Sequence, residues 1–309
     1  VRGFSAAFVP CGNEESHYQG SGLKGKSRAR STEKCPIVLC VVTVPQHSPF
    51  AADLELALRL ADAADAVAMS RFDSPDLDVR AKPDATFVTD ADLATERAIR
   101  DLLEAERPED GILGEEFGSS EGRRQWIIDP IDGTHNYLRG IPMWGVLIAL
   151  AIDGVPQVGV VSQPALGRRW WAATGAGAWT NAPSGPRRIR VSDEAALDRA
   201  SASFQSIQQW DEAGHLDALV RLSRTVWRDR GYGDVWPYML LSEGRLEFVA
   251  EFDVKEYDIA AVVPIVTEAG GRMTDYDGIA SISSRSSLAT NGVLHEDFLR
   301  LLHETETDR

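Results

Sequence analysis

The sequence predicts an α/β protein in which helices lie in layers on β-sheets. Through its second half, segments with apolar residues at helical spacing alternate with short apolar runs of strand type. In the first half, neighbouring apolar runs are separated by turn signals such as Asp153-Gly154, the mark of an antiparallel hairpin. A third observation bounds the size: 309 residues with 43% hydrophobic content can bury one large α/β core. No apolar run approaches the ~20 residues needed to span a bilayer, and no tandem repeat is evident.

Residues 1–45 are Gly/Ser-rich, then basic, then briefly apolar from Ile37 to Val44. That composition offers little to bury, so a disordered extension is expected there, or a start assigned too far upstream of Val44-Thr-Val-Pro. The folded domain is expected over 46–309. Asp53 to Phe72 carries Leu54, Leu58, Ala61, Ala64 and Ala68 at helical spacing, with Pro75 beyond its end. A second helix is expected after Asp92, over Leu93 to Leu103 and ending near Pro108, followed by strands ending at Glu115 and Asp129. Trp144 to Ile152 and Gln157 to Gln163 read as a hairpin, with Arg169 to Ala173 and Gly177 to Thr180 continuing its sheet. Pro183-Ser-Gly-Pro186 is the expected hinge between two halves. Beyond it come a strand (Ala200 to Phe204), helices (Asp211 to Ser223 and Val235 to Ser242) and a strand (Leu246 to Ala250). A helix from Tyr257 to Ala269, stopped by Gly270-Gly271, precedes strands at Arg272 to Thr274 and Leu288 to Thr290 and a last helix from Glu296.

The formal charge is −15, and the first 45 residues hold six Lys/Arg against three Asp/Glu, so the rest is more acidic still. Such a surface argues against nonspecific nucleic-acid binding. Cys11, Cys35 and Cys40 are the only cysteines. The body therefore has no disulfide framework, no thiol nucleophile and no Cys-based zinc site, and an intracellular setting is the simpler reading. The six histidines show no ligand spacing; His135 is expected to face solvent. Trp144, Trp170 and Trp171 read as core or dimer packing.

The run Trp126-Ile-Ile-Asp-Pro-Ile-Asp-Gly-Thr-His-Asn-Tyr137 carries the chemistry. An apolar strand delivers Asp129 and Asp132 around a proline expected to stop further strand pairing, and Gly133-Thr134 open a short helix. Carboxylates hold hard cations, and the free N–H groups of a helix start hold anions. Val88-Thr89-Asp90-Ala91-Asp92 and Gly114-Glu115-Glu116 place further acids at element ends, and Glu251 and Asp258 bracket another strand-to-helix change. One fold could gather Asp92, Glu115, Asp129, Asp132 and Asp258 in a single cleft. Packed so, they would repel one another unless cations neutralise them, and an all-oxygen set favours Mg2+. Taken alone, Asp129 and Asp132 could equally cap a helix.

These residues resemble the inositol-monophosphatase superfamily of Mg2+-dependent phosphomonoesterases. The run 126–137 is similar to its first signature, and Tyr257-Asp258-Ile-Ala-Ala leading to Gly270-Gly271 is similar to its second, with Tyr257 where the family usually has Trp. The resemblance extends from about Asp53 to His303. It implies an αβαβα sandwich of the sugar-phosphatase type, a phosphatase catalytic domain over 46–309, and an active site between the halves with two or three Mg2+ ions. By motif position, Glu115, Asp129 and the Ile131 carbonyl would bind one ion. Asp129 would bridge to a second held by Asp132 and Asp258, and Asp92 and Thr134 would act on the attacking water. The Gly133 and Thr134 amides would hold phosphate. Arg230-Gly-Tyr-Gly-Asp234 matches the family's Arg-x-x-Gly element. Arg230, Asp234 and Glu251 thus join Glu115, Ile131, Asp132, Gly133, Thr134 and Asp258 as substrate-binding candidates. Lys82 could steady the acidic site, and Glu116 stands beside a ligand.

The stretches 136–144, 163–171 and 230–234 look closest to the bacterial histidinol-phosphate phosphatases of that superfamily. The resemblance implies hydrolysis of L-histidinol phosphate to L-histidinol and phosphate in histidine synthesis, in the cytoplasm. Glu251 and Asp234 suit a leaving group that carries an ammonium and an imidazole. Two alternatives stand beside it: an inositol-1-monophosphatase or related small-ester phosphatase, and a non-catalytic phosphate-binding protein on the same fold. The expected partner is a small phosphorylated metabolite, with neither nucleic acid nor membrane, and the expected assembly is a homodimer.

Overall fold

A computed structural model of the chain describes residues 48–82 and 87–304. The expected 1–45 extension and all three cysteines lie outside the described residues. The first half comprises α1 (Ala51–Arg71), β1 (Val79–Ala81), β2 (Phe87–Thr89), α2 (Asp90–Glu106), β3 (Gly111–Gly114), β4 (Gly118–Ser120) and β5 (Arg124–Asp132). It continues with α3 (Thr134–Leu138), β6 (Gly145–Ile152), β7 (Val155–Gln163), β8 (Arg168–Ala173), β9 (Gly177–Thr180) and β10 (Arg187–Arg188). The second half holds β11 (Ser201–Phe204), α4 (Ile207–Glu212), α5 (Leu216–Thr225), β12 (Arg228–Arg230), α6 (Trp236–Ser242) and β13 (Phe248–Phe252). Then come α7 (Glu256–Ile259), α8 (Val262–Glu268), β14 (Arg272–Thr274), β15 (Ser286–Thr290) and α9 (His295–His303).

Alternation along the strands builds the layers. In β5, Trp126 and Ile128 face one side with Ile148, Val160 and Trp171, and pack on α1 and α2 through Leu54, Leu60, Ile99 and Leu103. Ile127, Leu147, Ala149 and Val161 face the other side, against Met239 and Leu241 of α6, Ile265 of α8 and Val249 and Ala289 of the second sheet. The far face of that sheet (Ala202, Phe248, Leu288) is covered by Trp210, Leu222 and Phe298 from α4, α5 and α9. The result is an αβαβα sandwich, as the resemblance implied. Each fully buried large side chain stabilises it by roughly 1.5–3 kcal/mol before entropy is counted. The first sheet has eight strands in the order β10-β9-β8-β7-β6-β5-β3-β4, and the second has five in the order β12-β11-β13-β15-β14. The segment 183–186 lies between β9 and β10, and β10 pairs back onto β9 before the chain leaves the first sheet.

Three expectations are corrected. Pro130 does not end pairing: β5 runs on to Asp132, opposite Gly145, with a register shift between Asp129 and Asp132. A bulge takes the proline out of the ladder, where its missing N–H is not needed. The helix expected over Asp211 to Ser223 is two helices, because Gly214 turns left-handed at φ +79° between α4 and α5. The helix expected over Tyr257 to Ala269 is also two. A continuous helix would bury Pro264 in its interior, against the carbonyl four residues back; beginning α8 at Val262 puts the proline in a first turn. The short strands β1, β4 and β12 have no apolar alternation, and the sequence pattern did not signal them.

Candidate active site

The motif loop is built on the β5 bulge. The Ile131 amide donates to Asp129 Oδ1 at 3.0 Å, within the register shift that separates Asp129 from Asp132. Gly133 caps α3 with φ +83°, and a Cβ there would stand 3.2 Å from both Asp234 Oδ2 and the Met143 carbonyl oxygen. Glycine accepts that conformation without strain. The Thr134 hydroxyl donates to the Ile131 carbonyl at 3.1 Å.

Elements from both halves bring acids to this loop. Asp92 opens α2 in a capping box: its Oδ2 accepts from the Thr89 amide at 2.8 Å and the Thr89 hydroxyl at 2.5 Å. Its Oδ1 is buried and has no partner. Glu115 follows β3, and Lys82 joins it to Glu116 through contacts of 2.8 and 2.7 Å. Asp132 Oδ2 accepts from the Val235 amide at 2.8 Å, and Asp258 Oδ2 from the Lys255 amide at 2.7 Å. Glu251 on β13 is 4% exposed; its Oε2 accepts from the Tyr238 hydroxyl at 3.0 Å and its Oε1 is buried without a partner. Asp234 Oδ2 accepts from Asn136 Nδ2 at 2.8 Å. Arg230 is not gathered with these: it is exposed at the end of edge strand β12 and donates to the Asp229 carbonyl.

Burial and then mutual repulsion govern the electrostatics. Burial pushes Asp129 well above the usual carboxylate range, and the charges of Glu115, Asp132, Asp258 and Asp92 push it further. Asp132 rises for the same first reason, with Asp234 and Asp258 adding to it. Burial lifts Asp258 to about 7, with Glu115 contributing, and lifts Asp92 to about 6 against the Thr89 hydrogen bonds that favour its ionised form. Asp234 stands at about 6, through burial. Among the described residues no three His, Cys, Asp or Glu side chains converge on one metal position. Instead, each of Asp92, Asp129, Asp132 and Asp258 has one oxygen tied to a neighbouring donor. The residues fit a divalent cation by chemistry: all donors are oxygens, they repel one another when ionised, and the unpartnered Asp92 Oδ1 belongs to the same group.

Two residues here were missed as functional candidates. Glu96 is fully buried one helical turn after Asp92, and accepts from the Glu116 and Phe117 amides at 2.7 and 3.2 Å and from Arg100 at 2.7 Å. It thereby holds the loop that presents Glu115. Gly114 makes room for it, since a Cβ would lie 1.9 Å from Glu96 Oε1. The spacing of four from Asp92 on an amphipathic helix was the available signal. Asn136 was read only as part of the motif; its place opposite Asp234, 98 positions away, has no sequence signature.

Residues 52–307 match the profile of the inositol monophosphatase family. The chain belongs to that family. A histidinol-phosphatase from Mycobacterium tuberculosis is 51% identical over 254 residues, covering 81% of this chain and 98% of that protein. Another from Streptomyces coelicolor is 49% identical over 258 residues, covering 82% and 97%. The solved structure of an inositol monophosphatase from Zymomonas mobilis superposes with a TM-score of 0.72 at 33% identity, covering 83% of this chain and all of that one (100%). The chain is thus a phosphoric monoester hydrolase of the inositol monophosphatase family, whose enzymes are generally metal-dependent. In place of the family's usual Trp, Tyr257 is half-buried, packs against the central core and lies under Lys255, whose Nζ is 5.6 Å from the ring centroid. No helix among the described residues is long and apolar enough to cross a membrane.

Proposed function

We propose that the chain hydrolyses L-histidinol phosphate to L-histidinol and phosphate, with Mg2+ as its metal, in the cytoplasm as a step of histidine synthesis. The observation that carries the substrate is the pair of histidinol-phosphatase relatives at 51% and 49% identity, each matched over nearly its full length. The acids Asp234 and Glu251 support it, because the leaving alcohol carries an ammonium and an imidazole, whereas a polyol would be met by neutral groups.

Glu115, Asp129 and the Ile131 carbonyl would hold one Mg2+, and Asp129, Asp132 and Asp258 a second. Bound there, the ions supply positive charge that neutralises the phosphate and acidifies water. Asp92 takes a proton from the attacking water at its free Oδ1, while Thr89 keeps Oδ2 engaged and the carboxylate oriented. Thr134, its proton committed to the Ile131 carbonyl, is left to accept a hydrogen bond from the same water. The Gly133 and Thr134 amides precede the first intrahelical donors of α3 and are available to phosphate oxygens. We assign a homodimer as the assembly, to be read by light scattering.

Phosphate release from a panel of esters (histidinol phosphate, inositol 1-phosphate, fructose 1,6-bisphosphate and phosphoadenosine phosphate) with Mg2+ tests the reading. Histidinol phosphate is expected to have the highest kcat/KM. A higher value for inositol phosphate would overturn the substrate but leave the metal chemistry standing. Undiminished hydrolysis in excess chelator, after bound metal is stripped, would overturn the metal chemistry.

A further inference from the structure

Asn136 reaches across the cleft between the two halves. From α3, in the first half, its side-chain amide donates to the Met143 carbonyl at 2.7 Å and to Asp234 Oδ2 at 2.8 Å, so both amide hydrogens are used. Asp234 lies in the second half, in the left-handed region at φ +51°, which few residues other than glycine, asparagine and aspartate adopt. Beside it, the Val235 amide donates to Asp132 Oδ2 at 2.8 Å, and below it the absent side chain of Gly133 leaves the space that Asp234 Oδ2 fills. One hydrogen bond from the motif loop thus holds Asp234 itself, a second holds the amide of the residue after it, and Gly133 leaves its carboxylate room.

We propose that Asn136 is a specificity-positioning residue: by pinning Asp234 across the cleft, it holds that carboxylate where it receives the cationic end of an amino-alcohol phosphate ester. The inference rests on the substrate reading above and adds the residue that makes Asp234 selective. A carboxylate on a free rotamer would lose most of its contact with an ammonium to motion and solvation; one oxygen tied to an amide leaves the other aimed. Because the contact is with the leaving alcohol's charge and not with the reacting phosphorus, its loss belongs in KM for the cationic ester.

The test measures kcat and KM of the full chain with Mg2+ for L-histidinol phosphate and for glycerol 1-phosphate, whose leaving alcohol is neutral. Wild type, Asn136→Ala, Asp234→Asn and the double variant are compared. Discrimination, the ratio of the two kcat/KM values, is expected to fall about ten-fold in Asn136→Ala through KM for histidinol phosphate. The double variant should discriminate no less than Asp234→Asn alone, because both changes break one contact. Unchanged discrimination, an equal loss on both esters, or additive effects would overturn the proposal. Should Asn136→Ala fail to fold, Asn136→Ser, too short to span both acceptors, is read by the same ratio. A wild-type protein without preference for histidinol phosphate overturns the function proposed above and this inference with it. A wild-type preference that Asn136→Ala retains overturns the inference alone.

Discussion

In the function proposed above, Asp92 serves two purposes with one carboxylate. Oδ2 closes the capping box that starts α2, and Oδ1 is buried without a partner, the atom proposed to accept the water proton. In Asp92→Asn the carboxamide oxygen can still accept from Thr89, so the fold should survive while the proton acceptor is lost. We expect kcat to fall by at least about 100-fold with an unchanged circular dichroism spectrum; near-normal turnover would remove Asp92 from the reaction. Glu251→Gln should lower discrimination for histidinol phosphate by about 1.5–3 kcal/mol, roughly ten- to hundred-fold, while sparing general phosphatase activity. An equal loss on every ester would assign Glu251 to the fold instead. Away from the site, His295 is fully buried between the Thr290 and Thr274 hydroxyls, at 3.0 and 3.3 Å, and burial with Arg272 nearby lowers its pKa to about 4. Below its ordinary pKa of about 6.5 the unfolded chain takes up a proton that the folded one refuses. Stability therefore falls as pH drops from 6.5 toward 4, by about 3 kcal/mol from this group. His295→Gln, which keeps an amide between the threonines but does not titrate, should show a flatter dependence in urea titrations over that window. Parallel curves would refute the assignment.

At the scale of elements, the site depends on helix and strand ends held in register by groups that touch no substrate. Glu96 is the clearest case. Its carboxylate receives the two amides that follow Glu115 and is itself braced by Arg100. Glu96→Ala leaves two backbone donors and a guanidinium without their acceptor, and should destabilise the fold by about 3 kcal/mol. It should also weaken Mg2+ activation, since the loop carrying Glu115 is no longer tied to the helix carrying Asp92. A variant with wild-type urea midpoint and wild-type Mg2+ dependence would show the loop to be held by other means. The corrected helix at 257–269 belongs to this scale as well. The break before Val262 seats against Gly159, where a Cβ would lie 2.1 Å from the Ala261 carbonyl oxygen, and the short helix before it carries Asp258 into the cleft.

For the whole molecule, the two sheets and their shared helical layer press repelling acids together, and that repulsion weakens the fold until a cation answers it. Mg2+ that binds only the folded chain should raise stability by about 2.7 kcal/mol at a hundred times its dissociation constant. For a chain of this size that is an upward shift in Tm of about 5 °C. Melting curves in Mg2+ and in chelator that superimpose would mean that the cluster binds no cation in the native state.

The layered α/β class, most element positions and the acids themselves were legible in the sequence, because each is a local property. Apolar spacing reports which face of an element is buried, and Asp-Pro-Ile-Asp-Gly-Thr brings its carboxylates, bulge and glycine turn within a few residues. Pro264 and Gly214 were legible as well, as breaks that apolar spacing alone overrode. What tertiary structure alone decided is which distant groups meet. Asp234 against Asn136, Val235 against Asp132, Glu96 behind Glu115 and the exposed position of Arg230 depend on how two sheets pack across a common helical layer. Hydrophobic burial sets that packing without regard to sequence distance, so no local pattern records the meeting of residues 98 positions apart.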